Sequence, residues 1–420
     1  MGKVVGFINH YYFMEIIISN AAVNNGNRGC VALSLSSMYI IDKILNAKNI
    51  PHTFYLPQSG YDQKEEHMIR AGDVTLKFVS LMDITPLTVK HYIKNLIKYI
   101  AKWKEYQATK KVYKEADFIL DIGQGDSFAD IYGKRRFDWI FSQYRLGMKF
   151  KKTYCILPQT IGPFKEPTIL KQACIGIDYA KCVMTRDRQS RDFVKRLLPN
   201  KAVSEIIDVA FFMPYKKKEF NSDSIHVGLN VSALLWYGGY TRNNQFGLKV
   251  DYPLLIHSVI DYFLAQANVK VHLIPHVVGG ERHIENDYAV SYDLFEEYDH
   301  PNLVLSPLFL DPIAAKSYIA GMDFFMGARM HSTIAAFSSE VPVFPMAYSR
   351  KFNGLFADTL QYPYMADMKT QSNAEILANI KQCYGQRKDL KEMEHQRMHT
   401  TVKERREIME TKLCEFFGIK

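Results

Sequence analysis

The stretch from Asp323 to Lys351, DFFMGARMHSTIAAFSSEVPVFPMAYSRK, constrains this chain more than any other. Its apolar run Phe324 to Met326 reads as a buried strand and stops at Gly327-Ala328. A polar cluster follows (Arg329, His331, Ser332, Thr333), then apolar residues resume at helical spacing through Phe337. A second apolar run, Val341 to Met346, ends in Tyr348-Ser349-Arg350-Lys351. The order strand, turn, helix, strand puts polar residues after each strand, where open α/β sheets bind their ligands. A helix starting near His331 or Ser332 would also aim free backbone N–H groups there, which suits an anion. The competing reading is that Arg329 and His331 only cap the helix and meet water. Two such groups one residue apart, with Lys351 after the next strand, favour a site.

At 420 residues the chain exceeds what one hydrophobic core usually holds, so two domains are expected. A net charge of +9 favours an anionic partner, which could be a phosphorylated substrate, a membrane surface or a nucleic acid. No nucleic-acid-binding signature is present, so none is expected as a partner. The six cysteines (Cys30, Cys155, Cys174, Cys182, Cys383, Cys414) form no Cys-x-x-Cys pair. They fit reduced thiols in a cytoplasmic protein, and no metal-ligand cluster is evident. The N-terminus lacks a signal-peptide layout, and no apolar run reaches membrane-span length, so any membrane contact would be peripheral, at the inner face.

Taken in order, Lys3 to Ile8 reads as a first strand, followed by a long polar loop ending Asn24-Asn25-Gly26-Asn27-Arg28-Gly29-Cys30. A helix is expected over Val31 to Ala47, an outline that fits either a phosphate cradle or a tight turn. Strands are expected at His52 to Leu56 and Leu76 to Leu81, and one long basic amphipathic helix over Pro86 to Glu115. That helix either packs with a wet lysine face or rests on an anionic membrane. The strand Asp117 to Ile122 ends in Gly123-Gln124-Gly125-Asp126, whose glycines allow close backbone approach and whose Asp126 is a candidate acid or base. Tyr154 to Leu157 is a strand ending Pro158-Gln159-Thr160-Ile161-Gly162-Pro163, and Cys182 to Met184 one ending at Arg186. Helices are expected over Pro167 to Ala180 and up to Leu198, and Ile206 to Phe212 is short and apolar with Asp208 inside it.

Lys216 to Ser224 is charged and polar and reads as a linker. Beyond it a second series is expected, with strands at His226 to Val231, Val269 to Ile274, Leu303 to Leu305, Asp323 to Met326 and Val341 to Pro345. Pro275-His276 closes one of these and is a further site candidate. From Asn373 the chain reads as charged helices. Alternating strands and helices argue for an α/β fold of two doubly wound, Rossmann-like domains facing a cleft. Their expected ranges are residues 1–215 and 225–372, with 373–420 as C-terminal helices.

Several segments resemble one family, the polysaccharide pyruvyl transferases. Asn27-Arg28-Gly29-Cys30-Val31-Ala32 resembles its N-x-G-D-x-A motif, and Gly123-Gln124-Gly125-Asp126 its glycine-rich segment. Pro158 to Pro163 is similar to P-Q-S-I-G-P, and Arg186 to Ser190 to R-D-x-x-S. Gly327 to His331 with Tyr348 to Lys351 is similar to its G-x-R-x-H and Y-x-x-K pair. The motifs keep the family's order over residues 25–355, with two departures: Cys30 stands where Asp is usual, and Gln124 where Gly is common. The resemblance implies a glycosyltransferase B-like fold, with the last helix packing back on the first domain. It implies transfer of a pyruvyl group from phosphoenolpyruvate, a co-substrate with no further cofactor, to a sugar of a cell-surface polysaccharide (capsule or exopolysaccharide) or its lipid-linked precursor.

On the family's pattern, Arg186, Arg329 and His331 lie at the donor. Arg186, Arg329 and Lys351 would clamp its phosphate and carboxylate, since guanidinium suits such groups. His331 and Asp126 would be acid and base in an order the sequence leaves open. Asn27, Gly29, Gly125, Gln159, His276 and Tyr348 are candidates for the acceptor side and its loops. Two other readings stand beside this one: a nucleotide-sugar glycosyltransferase of the same fold, and a non-catalytic scaffold.

Overall fold

A computed structural model describes residues 13–58, 64–84, 92–280 and 283–419. Two sheets organise them. The first holds β1 (Met14–Ser19), β2 (His52–Gln58), β3 (Glu65–Ala71), β4 (Val74–Met82), β5 (Phe118–Asp121), β6 (Thr153–Gln159), β7 (Cys182–Thr185) and β8 (Ser204–Glu205). Its order is β3-β4-β2-β1-β5-β6-β7-β8. The second holds β9 (Ile225–Asn230), β10 (Val269–Leu273), β11 (Leu303–Leu305), β12 (Phe324–Gly327), β13 (Val343–Ala347) and β14 (Ala366–Asp367), in the order β11-β10-β9-β12-β13-β14. Every pairing is parallel except the antiparallel edge hairpin of β3 on β4.

Parallel strands need crossover helices, which cover both faces and explain the near-continuous apolar runs of strands such as β12 and β13. In each sheet the strand order reverses once, between β1 and β5 in the first and between β9 and β12 in the second. Crevices open at the carboxyl ends of the strands at such reversals. The Gly123–Asp126 turn follows β5 at one, and Arg329 and His331 follow β12 at the other.

Local chemistry sets the key helix starts. Asn27 caps the Arg28–Ala47 helix, its Oδ1 accepting the Gly29 N–H at 3.0 Å. This is the one described helix long and apolar enough to cross a membrane, but most of it is buried as a core helix, its Leu33, Leu35 and Met38 fully covered. The two halves meet beside its cap. Asn27 bridges Val277, the Arg28 N–H donates to the His276 carbonyl at 3.2 Å, and the Val278 N–H to the Gly26 carbonyl at 2.9 Å. A Cβ on Gly26 would lie 2.0 Å from the Val278 oxygen, so this approach requires glycine. The chain end returns to the first sheet, where Phe416 and Phe417 of the Lys403–Phe417 helix pack on Phe118 at ring distances of 5.2 and 5.1 Å.

Several expectations are corrected. Lys3 to Ile8 lies outside the described residues, and the central strand is Met14–Ser19, expected to be loop. Glu15 interrupts its apolar run, yet its side chain accepts a hydrogen bond from the Tyr55 hydroxyl at 3.1 Å. Of the long helix over Pro86 to Glu115, residues 85–91 lie outside the described set; the rest forms two helices, Tyr92–Ala101 and Trp103–Glu115. The edge strand β3 and the Lys134–Lys149 helix were not anticipated. In the short apolar segment Ile206 to Phe212, Asp208 caps a 3-10 turn, Val209–Phe212, its Oδ1 taking the Ala210 N–H at 3.0 Å.

Candidate active site

The turn after β5 is built to let groups meet. Gly125 takes φ +88°, and a Cβ there would press on Leu33 and lie 3.0 Å from Arg186 Nη1. Gln124 takes φ +46°, a left-handed backbone that glycine adopts without strain. Its side chain compensates by accepting from Arg136 Nη2 at 2.5 Å, and Arg136 also reaches Ser127 Oγ at 3.1 Å.

Arg186, after β7, is buried. Its Nε donates to Thr160 Oγ1 at 2.8 Å and its Nη1 to Asp208 Oδ2 at 2.9 Å. These bonds use two of the five guanidinium donors. Burial lowers its pKa, but Asp208, Asp126 and Asp187 outweigh that and hold the guanidinium charged. The same Asp208 oxygen lies 3.6 Å from His331 Nε2. Burial pushes the Asp208 carboxyl up, yet His331, Arg186 and the Ala210 N–H bring it down to about 2. Asp208 is thus a fixed anion joining an arginine of the first sheet to a histidine of the second. The sequence singled it out only as a polar residue in an apolar run.

His331 stands in the first turn of the Met330–Phe337 helix and packs on Gly29. A Cβ on Gly29 would lie 2.2 Å from its Nδ1, so the Gly29 position lets the two halves close around the ring.

Lys351 Nζ lies 3.5 Å from Asp126 Oδ2, which also accepts from the Tyr132 hydroxyl at 3.0 Å. Burial raises the Asp126 carboxyl; Lys351, Arg186, the Tyr132 hydroxyl and His331 outweigh it and hold the group below its usual range. Burial opposes the charge on Lys351, while Tyr348 and Asp126 raise its pKa. Asp126, Lys351, Arg186, Asp208 and His331 therefore form one connected set of charges, contributed by the strand ends of both sheets.

Arg329 differs from this expectation of a donor clamp. Its Nη2 donates to Asp287 Oδ1 at 2.7 Å and its Nε to Oδ2 at 3.1 Å; Nη2 also reaches the Glu285 carbonyl at 3.3 Å and Nη1 the Glu285 carboxylate at 3.4 Å. Four of its five donors face the protein, which leaves little of the fork for a ligand. Asp287 also accepts the Ala233 N–H at 2.9 Å and the Val277 N–H at 3.0 Å, so this pair ties three loops at the floor of the cleft.

The remaining candidates divide. Gly125 and Gly29 adjoin Arg186 and His331 as described, and Asn27 serves as a cap. Gln159 is fully buried beneath the turn, its Nε2 donating to the Asp121 carbonyl and carboxylate at 3.0 Å each, with Gly123 against its Oε1. It shapes the turn and does not line the cleft. Tyr348 is buried edge-on to Phe246 at 5.1 Å. His276 is almost fully buried with both ring nitrogens unpartnered, and burial with the nearby His331, Arg329 and Arg28 charges lowers its pKa to about 3. Cys30, the other departure from the family pattern, joins the same cluster; burial and the Asp126 charge push its thiol up to about 11. Glu285, Asp287, Arg136 and Tyr132 were not anticipated, since no motif marks them: Arg136 enters from the unanticipated Lys134–Lys149 helix and Asp287 from the start of the Asp287–Tyr298 helix.

The family description of polysaccharide pyruvyl transferases matches residues 38–350. The chain belongs to that family. Its members are transferases acting on a sugar acceptor. The sequence matches no curated protein. Among solved structures, the chain is similar to UDP-GlcNAc 2-epimerase from Neisseria meningitidis bound to UDP-GlcNAc, with a TM-score of 0.57, 8% identity, and 96% and 100% of the two chains covered. It is also similar to an alpha,alpha-trehalose-phosphate synthase (UDP-forming) from Burkholderia vietnamiensis, with a TM-score of 0.52, 10% identity, and 97% and 98% covered. At such identities the likeness speaks to fold, and the fold of this pyruvyl transferase family member is of the glycosyltransferase B type.

Proposed function

We propose that this family member transfers the pyruvyl group of phosphoenolpyruvate to two hydroxyls of one sugar, forming a cyclic ketal and releasing phosphate. The observation that carries this reading is that Arg186 and His331 meet at Asp208, and Lys351 at Asp126, at the strand ends of both sheets. Cations there suit a donor bearing a phosphate and a carboxylate.

In this mechanism the methylene carbon of the donor takes a proton, and the resulting cation at the central carbon is attacked by the first sugar hydroxyl. The C–O bond to phosphate then breaks, and the second hydroxyl closes the ring. Of the two hydroxyl protons released, one balances the proton given to carbon and the other leaves with phosphate or solvent. Asp126, held ionised beside Lys351 at 3.5 Å, is the carboxylate that takes a hydroxyl proton in this scheme. The acid role then falls to His331, whose Nε2 lies 3.6 Å from Asp208 Oδ2. Arg186, with most of its donors uncommitted, and Lys351 bind the donor, while Arg329 positions the floor.

The acceptor in this proposal is a lipid-linked polysaccharide precursor at the inner face of a membrane. Support comes from the Tyr92–Ala101 helix and the residue beyond it, where Ile97, Ile100 and Trp103 are 62%, 65% and 57% exposed in a lysine-rich segment.

A second reading, glycosyl transfer from a nucleotide sugar, is favoured by the fold of the UDP-GlcNAc-bound neighbour. Fold does not fix chemistry. A thermal-shift titration with phosphoenolpyruvate beside UDP-, GDP- and CMP-sugars separates the two. Ligand at ~100 times its dissociation constant stabilises a fold by about 2.7 kcal/mol. Stabilisation by phosphoenolpyruvate, weakened in Arg186→Ala, supports pyruvyl transfer; stabilisation by a nucleotide sugar alone supports the second reading.

A further inference from the structure

We infer that Glu340, His395 and His399 form a binding site for one divalent transition metal of the zinc class, fastening the C-terminal helices to the helix that carries His331. One ligand-capable atom from each of the three lies within 4.8 Å of the other two. His395 Nδ1 is 2.8 Å from Glu340 Oε2, His399 Nδ1 is 3.7 Å from Oε1, and the two imidazole rings are 4.1 Å apart. Among the described ion pairs, Glu340 has these two histidines as its partners and no lysine or arginine.

Two imidazoles and a carboxylate match the ligand preference of zinc, nickel and cobalt better than that of magnesium or calcium. The helical i, i+4 spacing of His395 and His399 puts both rings on one face. His399 Nδ1 lies 2.9 Å from the His395 carbonyl. A ring that donates Nδ1–H to a backbone carbonyl keeps its Nε2 lone pair for a ligand, the usual outer support of a metal-bound histidine. Bonds of 2.0–2.2 Å in a tetrahedron set ligand atoms about 3.3 Å apart. The 2.8 Å contact of His395 Nδ1 must therefore open slightly, and the His399 ring must turn so that its Nε2, in place of the Nδ1 now 3.7 Å from Glu340, reaches that distance. His395 and His399 are 49% and 61% exposed at the side chain, so both turn freely, and the fourth position faces water.

The three ligands come from segments 55 residues apart, which hides the site from any spacing rule. Glu340 follows the Met330–Phe337 helix at the end opposite His331. A bound ion would thus fix the far end of that helix to the Arg387–Arg397 helix and the turn Met398–Val402.

The test uses the full chain after chelation and desalting, titrated with Co2+ and, by equilibrium dialysis, with Zn2+. The inference expects one equivalent of bound metal with the visible absorption of four-coordinate cobalt, and a rise in Tm with Zn2+. Both are lost in His395→Ala/His399→Ala and weakened at least tenfold in Glu340→Gln, with circular dichroism unchanged. Stoichiometric binding that survives in the double variant, or no binding by the wild type above that variant, overturns it.

Discussion

Asp208 Oδ2 lies 2.9 Å from Arg186 Nη1 and 3.6 Å from His331 Nε2, so one buried oxygen joins an arginine of the first sheet to a histidine of the second. Removing one partner of a buried pair strands the other charge and costs about 3–5 kcal/mol. Asp208→Ala should therefore lower stability by about that amount in urea unfolding, and Asp208→Asn, which keeps the shape, by less. Both should cut pyruvyl transfer.

The same residue predicts a pH dependence. Its folded pKa of about 2 lies below the ordinary 3.8, so the folded state favours the ionised form. That contribution is fully present above the unfolded value and is lost as pH falls through the folded one. The difference corresponds to about 2 kcal/mol. Stability measured between pH 4 and pH 2 should fall less steeply in Asp208→Asn than in the wild type; parallel curves would remove Asp208 from the account.

Gly29 and His331 give a second prediction. His331→Ala should lower turnover by ~10²–10⁴-fold, the usual contribution of a positioned acid or base. Gly29→Ala should reproduce part of that loss, because its Cβ would lie 2.2 Å from His331 Nδ1. Alanine is the better helix former, so the helix itself gains. A fall in kcat with Tm held or raised marks displacement of the ring; unchanged kcat would mean the ring is free to move without consequence.

Arg186 and Arg329 should separate in kinetics and stability. Arg329 is committed to Asp287 and Glu285, whereas Arg186 keeps most of its donors. Asp287→Asn should cost on the order of 3 kcal/mol, since it leaves the Arg329 fork short of its partner. Arg186→Lys should raise KM for phosphoenolpyruvate more than Arg329→Lys does, while Arg329→Lys should lower Tm more. The reverse ranking would restore Arg329 as the main donor contact.

How much of this was legible follows from where each signal resides. Strands β12 and β13 are apolar on both faces, and their runs show directly in the sequence. β1 was not legible because Glu15 breaks the run, and its partner, the Tyr55 hydroxyl, comes from the neighbouring strand. The Lys134–Lys149 helix opens on Gly133 with no side-chain cap, so no start signal marks it. At the site, the cationic motif residues stand after strands and could be placed. Their anionic partners, Asp208, Asp287 and Glu285, come from turns and loops whose position depends on tertiary packing. The sequence therefore pointed to the arginines without telling which one the protein itself occupies.

The buried amine of Lys316 predicts a pH effect of the opposite kind. Its Nζ donates to the Met213 carbonyl at 2.8 Å and the Phe211 carbonyl at 3.4 Å, and burial brings its pKa down to about 7. In the unfolded chain a lysine titrates near its ordinary 10.5. Between these values the unfolded state binds the extra proton, so stability should rise with pH, at up to about 1.4 kcal/mol per pH unit. Lys316→Met should flatten chemical-denaturation stability between pH 7 and pH 10; a slope equal to that of the wild type would remove Lys316 as its source.

The exposed apolar residues near Trp103 yield the last prediction. Leu96, Ile97, Ile100 and Trp103 are all at least 40% exposed, and Lys102 and Lys104 flank the tryptophan. Apolar side chains in a basic segment bind anionic bilayers by insertion plus charge, with about 1 kcal/mol per lysine near the surface. The protein should sediment with vesicles containing phosphatidylglycerol and much less with phosphatidylcholine alone. Salt should weaken the charge component, because the Debye length shortens to about 3 Å at 1 M. Ile97→Glu/Ile100→Glu should abolish sedimentation while leaving transfer to a soluble sugar acceptor intact, since these residues lie outside the cleft. Equal sedimentation of wild type and variant would assign this face to packing against another protein surface, and would detach the lipid-linked acceptor from the proposal without touching the ketal chemistry.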